Sequence, residues 1–162
     1  MTDLTCASAF PQQIIAIELQ DRPGSVNSVA EVFSGRGLQI EAFHGTAGDL
    51  NADGHAHALI VFCAGADRAS LVTRVLRRLS SVRSAELLGA DDPRLIESVL
   101  IARSNGRPPA GISVCALGAQ TALAAGSPAA MHAWLAGDDA PQRLGALRLD
   151  LLRDAPDGPL AN

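Results

Sequence analysis

The chain switches between two hydrophobic periods, and the switches mark its elements. Residues 14–19 are a short, mostly apolar run of strand length. Asp21-Arg22-Pro23-Gly24 closes that run as a turn. Val26, Val29, Ala30 and Phe33 then recur at helical spacing, with Asn27, Ser28, Glu31 and Ser34 on the opposite side. Gly37 follows the last periodic residue, where a left-handed helix end favours glycine. Leu38, Ile40 and Ala42 alternate with Gln39, Glu41 and Phe43, the pattern of a half-buried strand. A polar hairpin loop over 47–54 leads to another strand over 55–63. Asp67 is placed to cap a helix with the stripe Leu71, Val72, Val75, Leu76 and Leu79, and with Arg68, Arg74, Arg77 and Arg78 outside. Residues 82–88 predict a fourth strand and 98–102 a fifth.

The order β-α-β-β-α-β predicts an α+β fold of the split, ferredoxin-like type. Each helix has one apolar stripe, so both must cover the same sheet face. The other face carries no helix, and such a sheet often pairs with a copy of itself. The expected organisation is an N-terminal extension over 1–13, a ferredoxin-like domain over 14–103 and a linker over 104–111. The linker rests on two prolines and two glycines within Ser104-Asn105-Gly106-Arg107-Pro108-Pro109-Ala110-Gly111. A shortened second α+β region follows over 112–153, then a tail over 154–162. In that second region, 112–117, 121–125 and 144–152 predict strands. Ser127-Pro128 starts a helix with the stripe Met131, Trp134 and Leu135, stopped at Gly137. At about forty residues, it is expected to lean on the first domain or on a partner.

Composition narrows the function classes. The chain is 48% apolar and 19% charged, enough for a core. A net charge of −4 opposes nucleic acid as the main partner, because binding a phosphate backbone needs a positive surface. All 13 basic residues are Arg, so Schiff-base chemistry, a pyridoxal-phosphate anchor and a Walker A loop are excluded. Cys6, Cys63 and Cys115 are scattered and odd in number, which suggests free thiols in a reducing cytoplasm. The start lacks a basic n-region, and the apolar runs 14–17 and 56–64 fall far short of the ~20 residues that span a bilayer, so neither secretion nor a membrane is expected.

The strand–turn–helix junction at residues 21–26 is the most informative stretch. Pro23 stiffens the turn, and Gly24 lets a ligand approach the backbone. Amides in the first turn of a helix lack internal partners, and with the helix dipole behind them they favour a carboxylate. Asp21, at the strand end, is placed to meet an ammonium group. Together these features suit a free α-amino acid. The plainer alternative is that Pro23-Gly24 only makes a tight turn that Asp21 caps.

Over a wider stretch the chain resembles the ACT domain, a regulatory amino-acid-binding module, and within it the small regulatory subunit of acetolactate synthase. The resemblance rests on Pro23-Gly24, Phe33-Ser34-Gly35-Arg36-Gly37 and Leu38-Gln39-Ile40-Glu41. It continues through Leu76-Arg77-Arg78-Leu79, Ala85-Glu86-Leu87 and the segment 97–102. It covers 13–103 well, and the rest only loosely, at 121–135.

The resemblance implies a non-catalytic subunit that needs no cofactor of its own. It implies a homodimer through the ACT sheets and a thiamine-diphosphate-dependent catalytic partner in branched-chain amino-acid biosynthesis. The implied effector is a small amino acid held at a seam between two chains. Asp21, Arg22, Pro23, Gly24, Ser25 and Val26 would come from one chain, and Gln39 and Ile40 from the other. Binding modulates activity only if the inhibited assembly holds effector more tightly than the active one.

The chain departs from the family pattern where it has Asp21 and Gln39, each usually Asn, and His55-Ala56-His57, usually Ser/Thr-Arg. Asp21 adds a charge and Gln39 a methylene, so the residues do not single out valine. These departures leave room for a stand-alone ACT sensor of an amino acid or a metal in another, specialised-metabolite pathway. A metal would fall to His44, His55 and His57, which adjacent strands carry; surface histidines are the plainer alternative. An enzyme would need a nucleophile beside a base, and no such pairing is visible around Cys63, Cys115 or His132.

Overall fold

The computed structural model describes residues 10–46, 55–103, 107–145 and 148–151. The chain divides into two units, Met1–Ala90 and Asp91–Asn162. No helix among the described residues is long and apolar enough to cross a membrane.

The first unit runs β1 (Gln12–Gln20), α1 (Ser25–Ser34), β2 (Ile40–Thr46), β3 (His55–Cys63), α2 (Ala66–Leu76), β4 (Val82–Leu88). Its antiparallel sheet has the order β2-β3-β1-β4, the ferredoxin-like arrangement the pattern implied. Register follows the hydrophobic alternation: Ile15 pairs with Ile60, and Ile17 with both Ala58 and Ala85. These side chains meet Val29, Phe33, Val72 and Leu76 from the helices in one buried core. Phe33 and Phe62 pack edge to face at 5.1 Å. Each large aliphatic side chain buried here contributes about 1.5–3 kcal/mol relative to exposure.

The α1 stripe is rotated from its expected phase, whereas in α2 the expected Val72, Val75, Leu76 and Leu79 do meet the core and Leu71 alone of that stripe turns out. In α1 the buried residues are Ser25, Val29, Val32 and Phe33, while Val26 is 50% exposed. In α2 they are Ala69, Val72, Thr73 and Leu76, and Leu71 faces out. Asp67 does not cap α2; Gly65 holds that position without a side-chain bond, and Asp67 sits in the first turn. Gly37 does end α1 as expected. At φ 58°, it returns its own N–H to the Ser34 carbonyl and that of Leu38 to Phe33.

The second unit runs β5 (Leu95–Ala102), β6 (Ile112–Ala116), β7 (Thr121–Gly126), α3 (Pro128–Leu135), β8 (Arg148–Leu151). Its sheet has the order β6-β7-β5-β8. Two expectations are corrected here. The first domain does not extend to residue 103, because β5 pairs with β7 and β8 and not with the first sheet. The stretch 104–111 is not a linker between domains. It lies between β5 and β6, two strands of one sheet separated by β7; residues 104–106 fall outside the described ones.

With β5 included, the second unit has a core of its own: Val99, Ile101, Ile112, Ala122, Ala124 and Met131, with Trp134 and Leu135 against it. At its start Asp92 accepts hydrogen bonds from the backbone and side chain of Arg94, which hold its carboxyl down at about 2. Cys63 is disulfide-bonded, against the expectation of free thiols, so the cysteines give no argument for a reducing compartment. Cys115 is free and exposed. The expected N-terminal extension, hairpin loop and tail lie largely or wholly outside the described residues.

Candidate functional site at the start of the first helix

The junction between β1 and α1 is built by backbone hydrogen bonds. Gln20 N–H donates to Ser81 O at 2.9 Å, which anchors the end of β1. Arg22 N–H donates to Gln20 O at 2.9 Å, and Ser25 N–H to Arg22 O at 3.2 Å, so the chain turns sharply through Pro23 and Gly24. Gly24 has φ +90°, a left-handed conformation that side-chain-bearing residues rarely adopt. A Cβ built there meets nothing within 4 Å, so the corner is open.

Gly24 is the residue before α1 and offers no side chain to cap it. Its carbonyl accepts from both Ser28 N–H, at 3.0 Å, and Ser28 Oγ, at 3.1 Å. The next two amides, of Val26 and Asn27, meet no acceptor among the described residues. Val26 and Asn27 are exposed, so both N–H groups sit at an open helix end with the positive end of the dipole behind them. Asp21, Arg22, Pro23 and Gly24 are exposed as well, and Ser25 alone is buried. Its Oγ has no hydrogen-bond partner among the described residues. The corner therefore offers paired donors to an anion, with a carboxylate and a guanidinium on the strand side.

Gln39 and Ile40 are not part of this corner within one chain. They follow the far end of α1, and a helix of 10 residues is about 15 Å long. Gln39 is exposed, whereas Ile40 pairs with Phe62 and packs against the core. A bulge between Ile40 and Ala42 re-aims the start of β2.

The histidines are not gathered into a ligand set. Register pairs His44 with Leu59, His57 with Glu18 and Thr46, and His55 with Gln20. Among the described residues no group of three or more His, Cys, Asp or Glu could hold a metal ion. Glu18, across the ladder from His57, accepts from Arg83 Nη1 and Ser84 Oγ, each at 3.3 Å.

One pair was missed by the sequence reading. His132, around which the sequence shows no catalytic pairing, places Nε2 3.1 Å from Oε2 of Glu97, which is buried on β5. Burial pushes the Glu97 carboxyl up, and the charge of His132 opposes that rise. The signal was present as a lone acid at an inward position, Leu95-Ile96-Glu97-Ser98-Val99.

No family model and no curated protein matches the sequence. Solved structures do. The chain is similar to the acetolactate synthase small subunit of Thermotoga maritima, with TM-score 0.56 and 10% identity, over 87% of this chain and 94% of that one. It also matches the ACT domain of GTP pyrophosphokinase from Chlorobium tepidum, with TM-score 0.42 and 21% identity, over 49% and 86%. A third match is the ligand-free regulatory subunit of aspartate kinase from Thermus thermophilus, with TM-score 0.42 and 17% identity, over 78% and 93%. The likeness to the acetolactate synthase small subunit, at TM-score 0.56, agrees with the α+β, ferredoxin-like fold that the strand order shows.

Proposed function

We propose that the chain is a non-catalytic regulatory subunit whose first unit binds a small amino acid at the Gly24 corner. The observation that carries the reading is the pair of exposed amides, Val26 and Asn27, left without acceptors beside a glycine at φ +90°. They take the carboxylate, and Asp21 takes the ammonium. Pro23 fixes the turn, Arg22 flanks it, and Ser25 Oγ, one residue away, is a buried hydroxyl lacking a partner among the described residues. Gln39 and Ile40 lie beyond the other end of α1, so they reach an effector only from a second copy, joined through the ACT sheets. On this reading the catalytic partner is a thiamine-diphosphate-dependent enzyme of branched-chain amino-acid biosynthesis. The likeness in fold to an acetolactate synthase small subunit supports that choice.

A second reading is favoured by Asp21 and Gln39: a stand-alone amino-acid sensor in another pathway. Co-purification separates the two. With a neighbouring thiamine-diphosphate enzyme, a regulatory subunit co-elutes and raises its rate; a stand-alone sensor does neither. Calorimetry against the proteinogenic amino acids tests the site itself. Gly24→Asp is expected to weaken the effector at least tenfold, by charge at the amides and by backbone strain. Gly24→Asn, which tolerates the left-handed conformation better, is expected to lose less. Equal affinity in Gly24→Asp and wild type contradicts the proposal.

A further inference from the structure

Each of the two sheets has two edges, and an unpaired edge strand is a template for another chain unless something blocks it. Among the described residues, three of the four edges carry charges or a bulge that disfavour indiscriminate pairing while leaving a specific partner possible. The β2 edge carries a bulge, Glu41 and His44. The β4 edge carries Arg83 and Glu86. The β8 edge, four residues long among the described ones, carries Arg148 and Asp150.

Among the described residues the β6 edge has no strand alongside it and none of these devices. Its sequence, Ile-Ser-Val-Cys-Ala, has no charge and no proline, and its register with β7 runs without a shift from Ile112 to Ala116. No charged side chain occurs between Arg107 and His132. Ser113 through Ala116 are all exposed, including Val114 at 40%. Leu117 and Leu123, at 59% and 36%, extend the apolar surface around the hairpin. Isolated exposed apolar residues need no explanation, but an uncharged run of them along an unpaired edge does.

The hydrogen-bond phase of that edge is defined. Leu117 N–H donates to Thr121 O across the hairpin. Alternation then turns the polar backbone groups of Ser113 and Cys115 toward β7, and those of Val114 and Ala116 away from the sheet. We propose that this edge pairs with the same edge of a second copy, so that two second sheets become one continuous antiparallel sheet about a two-fold axis at Val114. Val114 then exchanges hydrogen bonds with the partner's Val114, and Ala116 lies opposite the partner's Ile112. Ser113 faces the partner's Cys115 in the closer, non-hydrogen-bonded type of pair. Self-pairing is the occupant that chemistry favours, because an uncharged strand meets its own copy with no like charges opposed. The pairing is distinct from any dimer made through the first sheet, and it does not depend on the amino-acid site.

The test is cross-linking of the full chain carrying Ser113→Cys under mild oxidation. A disulfide between Cys115 and the introduced cysteine, identified by peptide mapping, is the expected product. Adding Val114→Pro should abolish that product and halve the assembly mass in light scattering. Proline there removes only an outward N–H and leaves the β7 ladder intact, which far-UV circular dichroism checks. Val114→Arg, which sets two guanidinium groups face to face, should do the same. Absence of the cross-link in Ser113→Cys, a cross-link to any other cysteine, or a mass unchanged in both Val114 variants overturns the proposal. A mass lowered only when another protein is present would instead assign the edge to a different partner and also overturn it.

Discussion

The two units share one strand order and spend it differently. In the first, two helices cover a core of large side chains, among them Ile15, Leu19, Phe33, Ile60 and Phe62. In the second, the same order β6-β7-β5-β8 carries one helix among the described residues, and two of the six buried residues in the cluster that includes Met131 of that helix are alanines. The helix starts differ as well. Ser127 caps α3, its Oγ accepting from Ala130 N–H at 3.3 Å, with Pro128 at the first position. Gly24 leaves α1 bare. The heavier core therefore supports the uncapped helix end, and the lighter unit has the conventional cap. A bare, open end costs stability, and a robust scaffold can carry that cost where a ligand is to be held.

The contrast can be broken from either side. Phe62→Ala should destabilise the first unit most, by about 3–5 kcal/mol, because it removes a fully buried ring and its edge-to-face partner. Met131→Ala in the second core should cost less, about 2–3 kcal/mol, with few large neighbours to lose. Urea titration of both variants ranks the two cores, and equal losses would erase the distinction. Gly126→Ala comes next. A Cβ there would lie 2.7 Å from the Gly111 carbonyl oxygen, so backbone must move, at a cost of about 1–3 kcal/mol. Ser127→Ala should cost about 1 kcal/mol by removing the cap. The matching change in the first unit, Gly24→Asn, tests whether a side-chain cap can be added at the bare end without losing the effector.

The smallest effect concerns Glu97. Burial raises its carboxyl in the folded chain above the ordinary range. A raised acid keeps its proton longer in the fold than in the unfolded chain, so stability falls as pH climbs from the ordinary carboxylate range through the folded value. Glu97→Gln should therefore match wild type at acidic pH and melt slightly higher at neutral pH. A thermal midpoint lowered at neutral pH would show that the contact with His132 outweighs the burial.

Much of this architecture was legible in the sequence. The alternating runs located most strands, and 82–88 matches β4 throughout. Which helix residues face outward was less legible, because Val26 and Leu71 are as apolar as the residues that do turn inward. Ser25 occupies the inward position at the start of α1, where polarity hides its burial. Partnership of β5 was not legible at all: alternation tells which side chains share a face, but not which strand lies alongside. The Gly24 corner was legible because glycine, proline and an uncapped helix start lie consecutively. That Gln39 and Ile40 stand at the other end of α1 required the structure.

The most direct test of the account is nuclear magnetic resonance of the full chain, following the Val26 and Asn27 amides while single amino acids are added. The account expects at least one amino acid to shift both resonances in a saturable way, with Gly24 following and α3 unmoved. Saturable binding that leaves these amides in place would put the ligand elsewhere, and no response to any amino acid would end the regulatory reading of this corner.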